Sequence, residues 1–195
     1  MNLLHAFNCL LLPCRDNADE HHWMSQWEAA LPNLTRVVQD EWVDPKLGPW
    51  AARLDEYVAR CTRPVVLIAH SLGTSLIMHR AHHSLASRVA GAFMVAPSDR
   101  GPADIWPNAD RNGFAPMILK RFPFPSMVLA SRNDPYVAYH RAQTFAEAWG
   151  SDLVDMGQSG HMGNADRLGL WPQGLEHFGA FLSRIAVERK LLTSQ

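Results

Sequence analysis

Ser71, in the stretch Val65-Val66-Leu67-Ile68-Ala69-His70-Ser71-Leu72-Gly73-Thr74, is the side chain around which chemistry could be organised. Val65 to Ile68 is an unbroken β-branched and aliphatic run entered through Pro64, the pattern of a parallel strand covered on both faces. Leu72, Leu76 and His79 then recur on one helical face, with Ile77 and Met78 beside them, so Ser71 falls at a strand-to-helix corner. The string A-H-S-L-G is one methyl group away from the nucleophile elbow G-x-S-x-G. In that elbow a tight turn lifts the hydroxyl above the sheet, and small residues two before and two after the serine let the backbones pass. Ala69 occupies the first small position and Gly73 the second. Holding a serine in such a turn costs about 1–3 kcal/mol. A serine at this kind of corner can equally be a plain helix N-cap, and whether a base and an acid accompany it separates the two readings.

A serine hydroxyl needs an imidazole to take its proton and an anion to orient that imidazole. Both are found downstream. Ser126-Met127-Val128-Leu129-Ala130 reads as a strand and leads into Ser131-Arg132-Asn133-Asp134-Pro135-Tyr136, which places Asp134 in the loop at its C-terminal end. Leu153-Val154-Asp155-Met156 reads as the next strand and leads into Gly157-Gln158-Ser159-Gly160-His161, which places His161 in the equivalent loop. Serine, acid and histidine therefore lie in that order at one edge of a sheet, where ligands bind in open α/β folds. Asp99, Asp152 and Asp155 are rival acids, and an aspartate before proline can be only a turn former. His70 adjoins Ser71, but neighbours diverge at a sharp turn, so it is expected to be structural. The oxyanion of an acyl-transfer intermediate needs two backbone N–H groups. Leu72, directly after the serine, is expected to supply one, and Cys14 or Arg15, after the first strand, the other.

The elements that must position these residues alternate along the chain. Strands are expected over residues 8–12, 35–39, 65–68, 89–95, 126–130 and 153–156. Helices are expected from Trp23 to Leu31 and over residues 50–60, from Leu72 onward, and over 137–149 and 174–189. Such alternation means an α/β fold, a mostly parallel sheet with helices on both faces. Residues 98–125 break the rhythm with Pro, Gly, Asp and Asn around Trp106, Phe114, Phe122 and Phe124. Loops of that length are usually functional, so this one is expected to be an aromatic flap over the site, with a packed surface excursion as the alternative.

Length and composition exclude several classes. At 195 residues the chain suits one domain, 1–195, that buries roughly 70% of its unfolded surface. With 18 basic and 19 acidic residues and no Lys/Arg run, it has no polyanion-binding character, and no nucleic-acid partner is expected. Its apolar stretches are strand-length, so no membrane span is expected. Three cysteines without C-x-x-C spacing suggest neither a disulfide framework nor a thiolate metal site, and the expected compartment is a reducing cytoplasm. Ten histidines include His79, His82 and His83 on one helix, but none sits in H-E-x-x-H spacing, and neither a metal nor another cofactor is expected.

Eight segments in order resemble the small single-domain serine hydrolases of the α/β-hydrolase superfamily, the family that includes the retinoblastoma-binding serine hydrolase and bacterial relatives. They are His22-Trp23 with Trp27, Gln39-Asp40-Glu41-Trp42, Ala69-His70-Ser71-Leu72-Gly73, Gly113-Phe114-Ala115-Pro116, Pro123-Phe124-Pro125-Ser126, Ser131 to Tyr136, Gly160-His161 and Trp171-Pro172-Gln173-Gly174. The resemblance spans nearly the whole chain. It implies a Ser-Asp-His triad at Ser71, Asp134 and His161 and a metal-free, esterase-like activity. The chain departs from the family at Cys14, where relatives usually carry glycine, and after His161, where Asn164 comes later than its counterpart. The expected substrate is a small carboxylic ester, with amides and thioesters as the neighbouring possibilities. Trp23, Trp106, Phe114, Met162 and Trp171 are the expected pocket walls. The competing reading is a hydrolase-shaped binding protein with a weak or vestigial triad, favoured by Cys14, although no feature indicates a particular protein partner.

Overall fold

The computed structural model describes residues 3–101 and 112–193. Its strands are β1 (Asn8–Leu12), β2 (Leu34–Arg36), β3 (Val65–His70), β4 (Val89–Val95), β5 (Ser126–Ala130) and β6 (Asp152–Asp155). Among the described residues they form one six-stranded sheet in the order β2-β1-β3-β4-β5-β6, every adjacent pair parallel. The helices are α1 (Trp23–Ala30), α2 (Leu47–Arg60), α3 (Leu72–Arg80), α4 (Tyr139–Trp149) and α5 (Pro172–Thr193).

The alternation of side chains along each strand divides the core in two. On one face Leu10, Leu12, Leu67, Ala69, Met94 and Val128 pack against Leu54 of α2, Leu76 of α3 and Phe145 of α4. On the other, Cys9, Leu11, Val66, Ile68, Phe93 and Leu129 pack against Trp27 of α1 and Phe178 and Phe181 of α5. Every residue of β3 is buried, which is why its sequence runs apolar without alternation. Helices cover both faces, as expected from the rhythm of the sequence.

Several boundaries differ from the sequence reading. Gly48 and Pro49 lie inside the first turn of α2, where proline's missing N–H would have had no intrahelical partner. Strand β2 ends at Arg36, short of the expected 39, and Val38 beyond it is half exposed. Strand β6 begins one residue early, its edge position tolerating Asp152, which pairs with Arg184 of α5.

The described part of 98–125 differs more. Phe114, Phe122 and Phe124 are buried in the core of the first face, with Met117 and Ile118 packed against it. Phe114 meets Trp50 edge-on at 5.8 Å and Phe122 stacks on Trp149 at 5.2 Å. That part is core packing, because rings so placed remove more apolar area from water than a wall open to solvent would.

Candidate active site

Ser71 follows the last residue of β3 with φ 51° and ψ −115°, in the positive-φ region that L-residues rarely adopt. Its N–H donates to Val95 O at 3.1 Å, and its carbonyl accepts from Thr74 N–H at 2.9 Å and Thr74 Oγ1 at 2.6 Å. Those bonds pin the backbone on both sides of the turn. The Ser71 side chain makes no cap bond to the helix. Its Oγ lies 2.9 Å from His161 Nε2.

His161 comes from the loop after β6, the edge strand three places from β3, so its loop must run back across the ends of β5 and β4. Ser131 and Asn133 hold it there. Ser131 Oγ accepts from Ser159 N–H at 2.9 Å and donates to Asn133 Oδ1 at 2.7 Å, while Asn133 Oδ1 also accepts from Gly160 N–H at 2.9 Å. Gly160 has φ 61°, and a Cβ there would lie 2.1 Å from Asp166 Oδ1, so the sharp approach to His161 requires glycine. Asp134, whose side chain is 1% exposed, places Oδ2 at 2.8 Å from His161 Nδ1, and its Oδ1 accepts from Tyr136 N–H at 2.8 Å. A continuous path of polar contacts thus runs from Asp134 through His161 to Ser71.

The rival acids are engaged elsewhere. Asp99 accepts from Arg141 Nε at 2.7 Å and Gly101 N–H at 2.9 Å. Asp155 accepts from Arg132 Nε at 2.8 Å and Gly157 N–H at 2.9 Å. His70 does not touch Ser71 Oγ; its Nε2–H donates to His161 O at 2.9 Å.

The loop after β1 passes beside the start of α3. A Cβ at Gly73 would sit 2.1 Å from Leu12 O and 2.8 Å from Leu12 C, an approach that only glycine permits. Leu72 N–H is among the first-turn donors that have no intrahelical partner, and Pro13, Cys14 and Arg15 follow directly from Leu12. Cys14 folds into its own turn: its carbonyl accepts from Asn17 N–H at 3.2 Å and its thiol donates to Asn17 O at 3.3 Å. Burial raises that thiol from 9.0 to about 11, so it stays protonated at neutral pH. Gly73→Ala is expected to cost about 3 kcal/mol or more through this backbone collision, a fall in Tm on the order of 6–12 °C. Thermal unfolding by circular dichroism checks it.

The expected pocket walls are placed otherwise. Trp23, Met162 and Trp171 are buried in the core of the second face, Trp23 donating from Nε1 to Met162 O at 2.9 Å and meeting Trp171 at 5.1 Å. Phe114 is buried in the first-face core. These four are therefore packed in the core, each at most 5% exposed. Trp106 lies outside the described residues. Tyr136, 49% exposed, is the aromatic that flanks the site, its ring edge-on to His161 at 4.7 Å. It stands in the loop that carries Asp134, as do Ser131 and Asn133.

No group of three or more His, Cys, Asp or Glu side chains is arranged to hold a metal among the described residues. No described helix is long and apolar enough to cross a membrane.

The model of the serine hydrolase family matches residues 9–180. This chain belongs to the serine hydrolase family. It is 30% identical to a YdeN-like hydrolase from Pectobacterium atrosepticum, over 94% of both chains, with a TM-score of 0.83. The ydeN gene product of B. subtilis shares the fold at 16% identity and a TM-score of 0.73, over 90% of this chain and 98% of that one. Thermogutta terrifontis esterase 2 shares it at 14% identity and a TM-score of 0.66, over 95% of this chain and 86% of that one. Among curated proteins, none matches the sequence. For this serine hydrolase the elbow at Ser71 and the His161 loop occupy the C-terminal edge of the sheet.

One consequence for stability arises behind the site. Burial, opposed in part by Asp19, takes the His22 imidazole from the ordinary 6.5 down to about 4. Below pH 6.5 the unfolded chain binds a proton that the folded chain refuses. The stability is therefore full above pH 6.5 and falls as the pH drops to 4, by on the order of 3 kcal/mol from this residue. His22→Asn keeps an oxygen to accept Met24 N–H, the cap bond of α1 made by His22 Nδ1 at 3.1 Å. Relative to wild type, urea denaturation should show this variant gaining that amount between pH 7 and pH 4.

Proposed function

We propose that this serine hydrolase cleaves small carboxylic esters through an acyl-enzyme on Ser71, with His161 as general base and acid and Asp134 as its orienting anion. The observation that carries the reading is the unbroken path Ser71 Oγ–His161 Nε2 at 2.9 Å and His161 Nδ1–Asp134 Oδ2 at 2.8 Å, set on a strained elbow. Ser71 Oγ attacks the ester carbonyl while its proton passes to His161 Nε2. Negative charge develops on the carbonyl oxygen, for which Leu72 N–H and the N–H of Cys14 or Arg15 are the donors. Collapse expels the alcohol, which takes the proton from His161 Nε2. Water then attacks the acyl group, giving a proton to His161 Nε2, which returns it to Ser71 Oγ as the acid leaves.

Ester substrates fit the partly exposed Ser71 and the fold shared with an esterase, and amides and thioesters are chemically adjacent. Cys14 gives little support to the binding-protein reading, since its thiol is turned to Asn17 O. The test pairs a fluorophosphonate probe with p-nitrophenyl esters of rising acyl length. Labelling together with turnover that peaks at short acyl groups is expected, and wild-type protein left unlabelled beside a labelled control would overturn the enzyme reading.

A further inference from the structure

Behind His161 lies a second histidine pair that the proposed reaction does not use. His22 and His70 are each 1% exposed, their rings 4.9 Å apart and inclined at 64°, and the His70 ring lies 4.9 Å from that of His161. The hydrogen bonds fix both tautomers. His22 Nδ1 accepts from Met24 N–H at 3.1 Å, so its proton is on Nε2. His70 Nε2 faces the carbonyl of His161 at 2.9 Å and can only donate to it, so its Nδ1 is bare. The remaining donor, His22 Nε2–H, and the remaining acceptor, His70 Nδ1, are both buried with no protein partner among the described residues. Buried polar groups are nearly always paired, directly or through an ordered water.

We propose that His22 and His70 are positioning residues, forming a chain from His22 Nε2–H through an ordered water to His70 Nδ1 and from His70 Nε2–H to the His161 carbonyl, which sets the distance between His161 Nε2 and Ser71 Oγ. The inference rests on the triad reading above. Other bonds between the same two segments support it. Trp23 Nε1 donates to Met162 O at 2.9 Å and Asp19 N–H donates to Asn164 Oδ1 at 3.1 Å, so residues 19–23 hold the histidine loop at two points beside the His70 bond to His161 O. A Cβ at Gly163 would lie 3.3 Å from His70 Cε1, so the His70 ring fills the space beneath that loop. Burial holds both imidazoles below their ordinary range, His70 well below, which keeps the chain neutral and its donor directions fixed. This gives the His22-Trp23 segment a role that its distance from Ser71 in sequence hides.

The test compares His70→Met, which removes the donor at similar volume, with His70→Gln, whose amide nitrogen can replace Nε2–H, and with His22→Asn, which keeps the α1 cap but loses the Nε2 donor. Hydrolysis of p-nitrophenyl acetate is measured per active site, counted by fluorophosphonate titration, so that loss of folded protein does not enter. His70→Met should lower kcat about tenfold to a hundredfold with KM within about twofold, as expected when a base is displaced by a fraction of an ångström. His70→Gln should recover most of that loss, and His22→Asn should lower kcat about threefold to tenfold. A per-site kcat for His70→Met within twofold of wild type, or His70→Gln no better than His70→Met, would overturn the proposal. If His70→Met does not fold, an unchanged kcat in His22→Asn overturns it. Wild-type protein that neither labels nor turns over ester removes the triad reading itself, a different outcome from unchanged variants of an active enzyme.

Discussion

Ser71→Ala is expected to abolish fluorophosphonate labelling and to lower ester turnover by about 10⁵-fold or more, leaving only what binding and the backbone N–H groups supply. Stability should change little. Alanine keeps the Cβ, so the strain at φ 51° is the same in both proteins, and the hydroxyl removed makes no bond to the helix. Among the described residues it bonds to His161 Nε2. An N-cap serine would behave in the opposite way, losing about 1 kcal/mol of stability on truncation with labelling unaffected. Measuring both the melting curve and the labelling rate therefore separates cap from nucleophile. Wild-type labelling by the alanine variant would move the nucleophile elsewhere.

Asp134→Asn is expected to lower kcat by about 10⁴-fold with the fold intact. The direction follows from the two contacts of the carboxylate. Oδ1 accepts Tyr136 N–H at 2.8 Å, so the asparagine oxygen stays on that side and the amide nitrogen faces His161 Nδ1. Nδ1 must then accept, the imidazole proton moves to Nε2, and Nε2 can no longer take the proton of Ser71. Neither Asp99 nor Asp155 can substitute, each being held by an arginine and a backbone N–H. Steady-state kinetics on a p-nitrophenyl ester checks the effect, and turnover within tenfold of wild type would remove Asp134 from the acid role.

The parts of the fold that were legible in the sequence share a physical cause. The residue pattern marks strands β1, β4 and β5 to the residue because strands covered on both faces must be continuously apolar and end at polar or proline-rich turns. Edge strands are less legible: β2 and β6 are partly exposed, and a half-exposed strand gives a weaker pattern. The aromatic residues are ambiguous for a different reason. Trp23, Phe114 and Trp171 have the composition of a pocket wall and of a core alike, and which they form depends on what packs across from them. Ser131, Asn133 and Tyr136 stand beside Asp134 in the chain, but their bonds and ring contact to the histidine loop span 25 to 28 residues and have no local signature.

By itself the sequence determined the elbow at Ser71 and the order of serine, acid and histidine. Each of the three follows a parallel strand, and the C-terminal ends of parallel strands share one edge whatever their order. Only the tertiary structure decided how those loops meet. The strand order β2-β1-β3-β4-β5-β6 sets the Cys14 loop against Gly73 and sends His161 back over two strands to Ser71. It also stacks His22 and His70 beneath the loop that presents His161. Those contacts join residues far apart in the chain, and their geometry is fixed by sheet order and core packing, which local residue patterns do not encode.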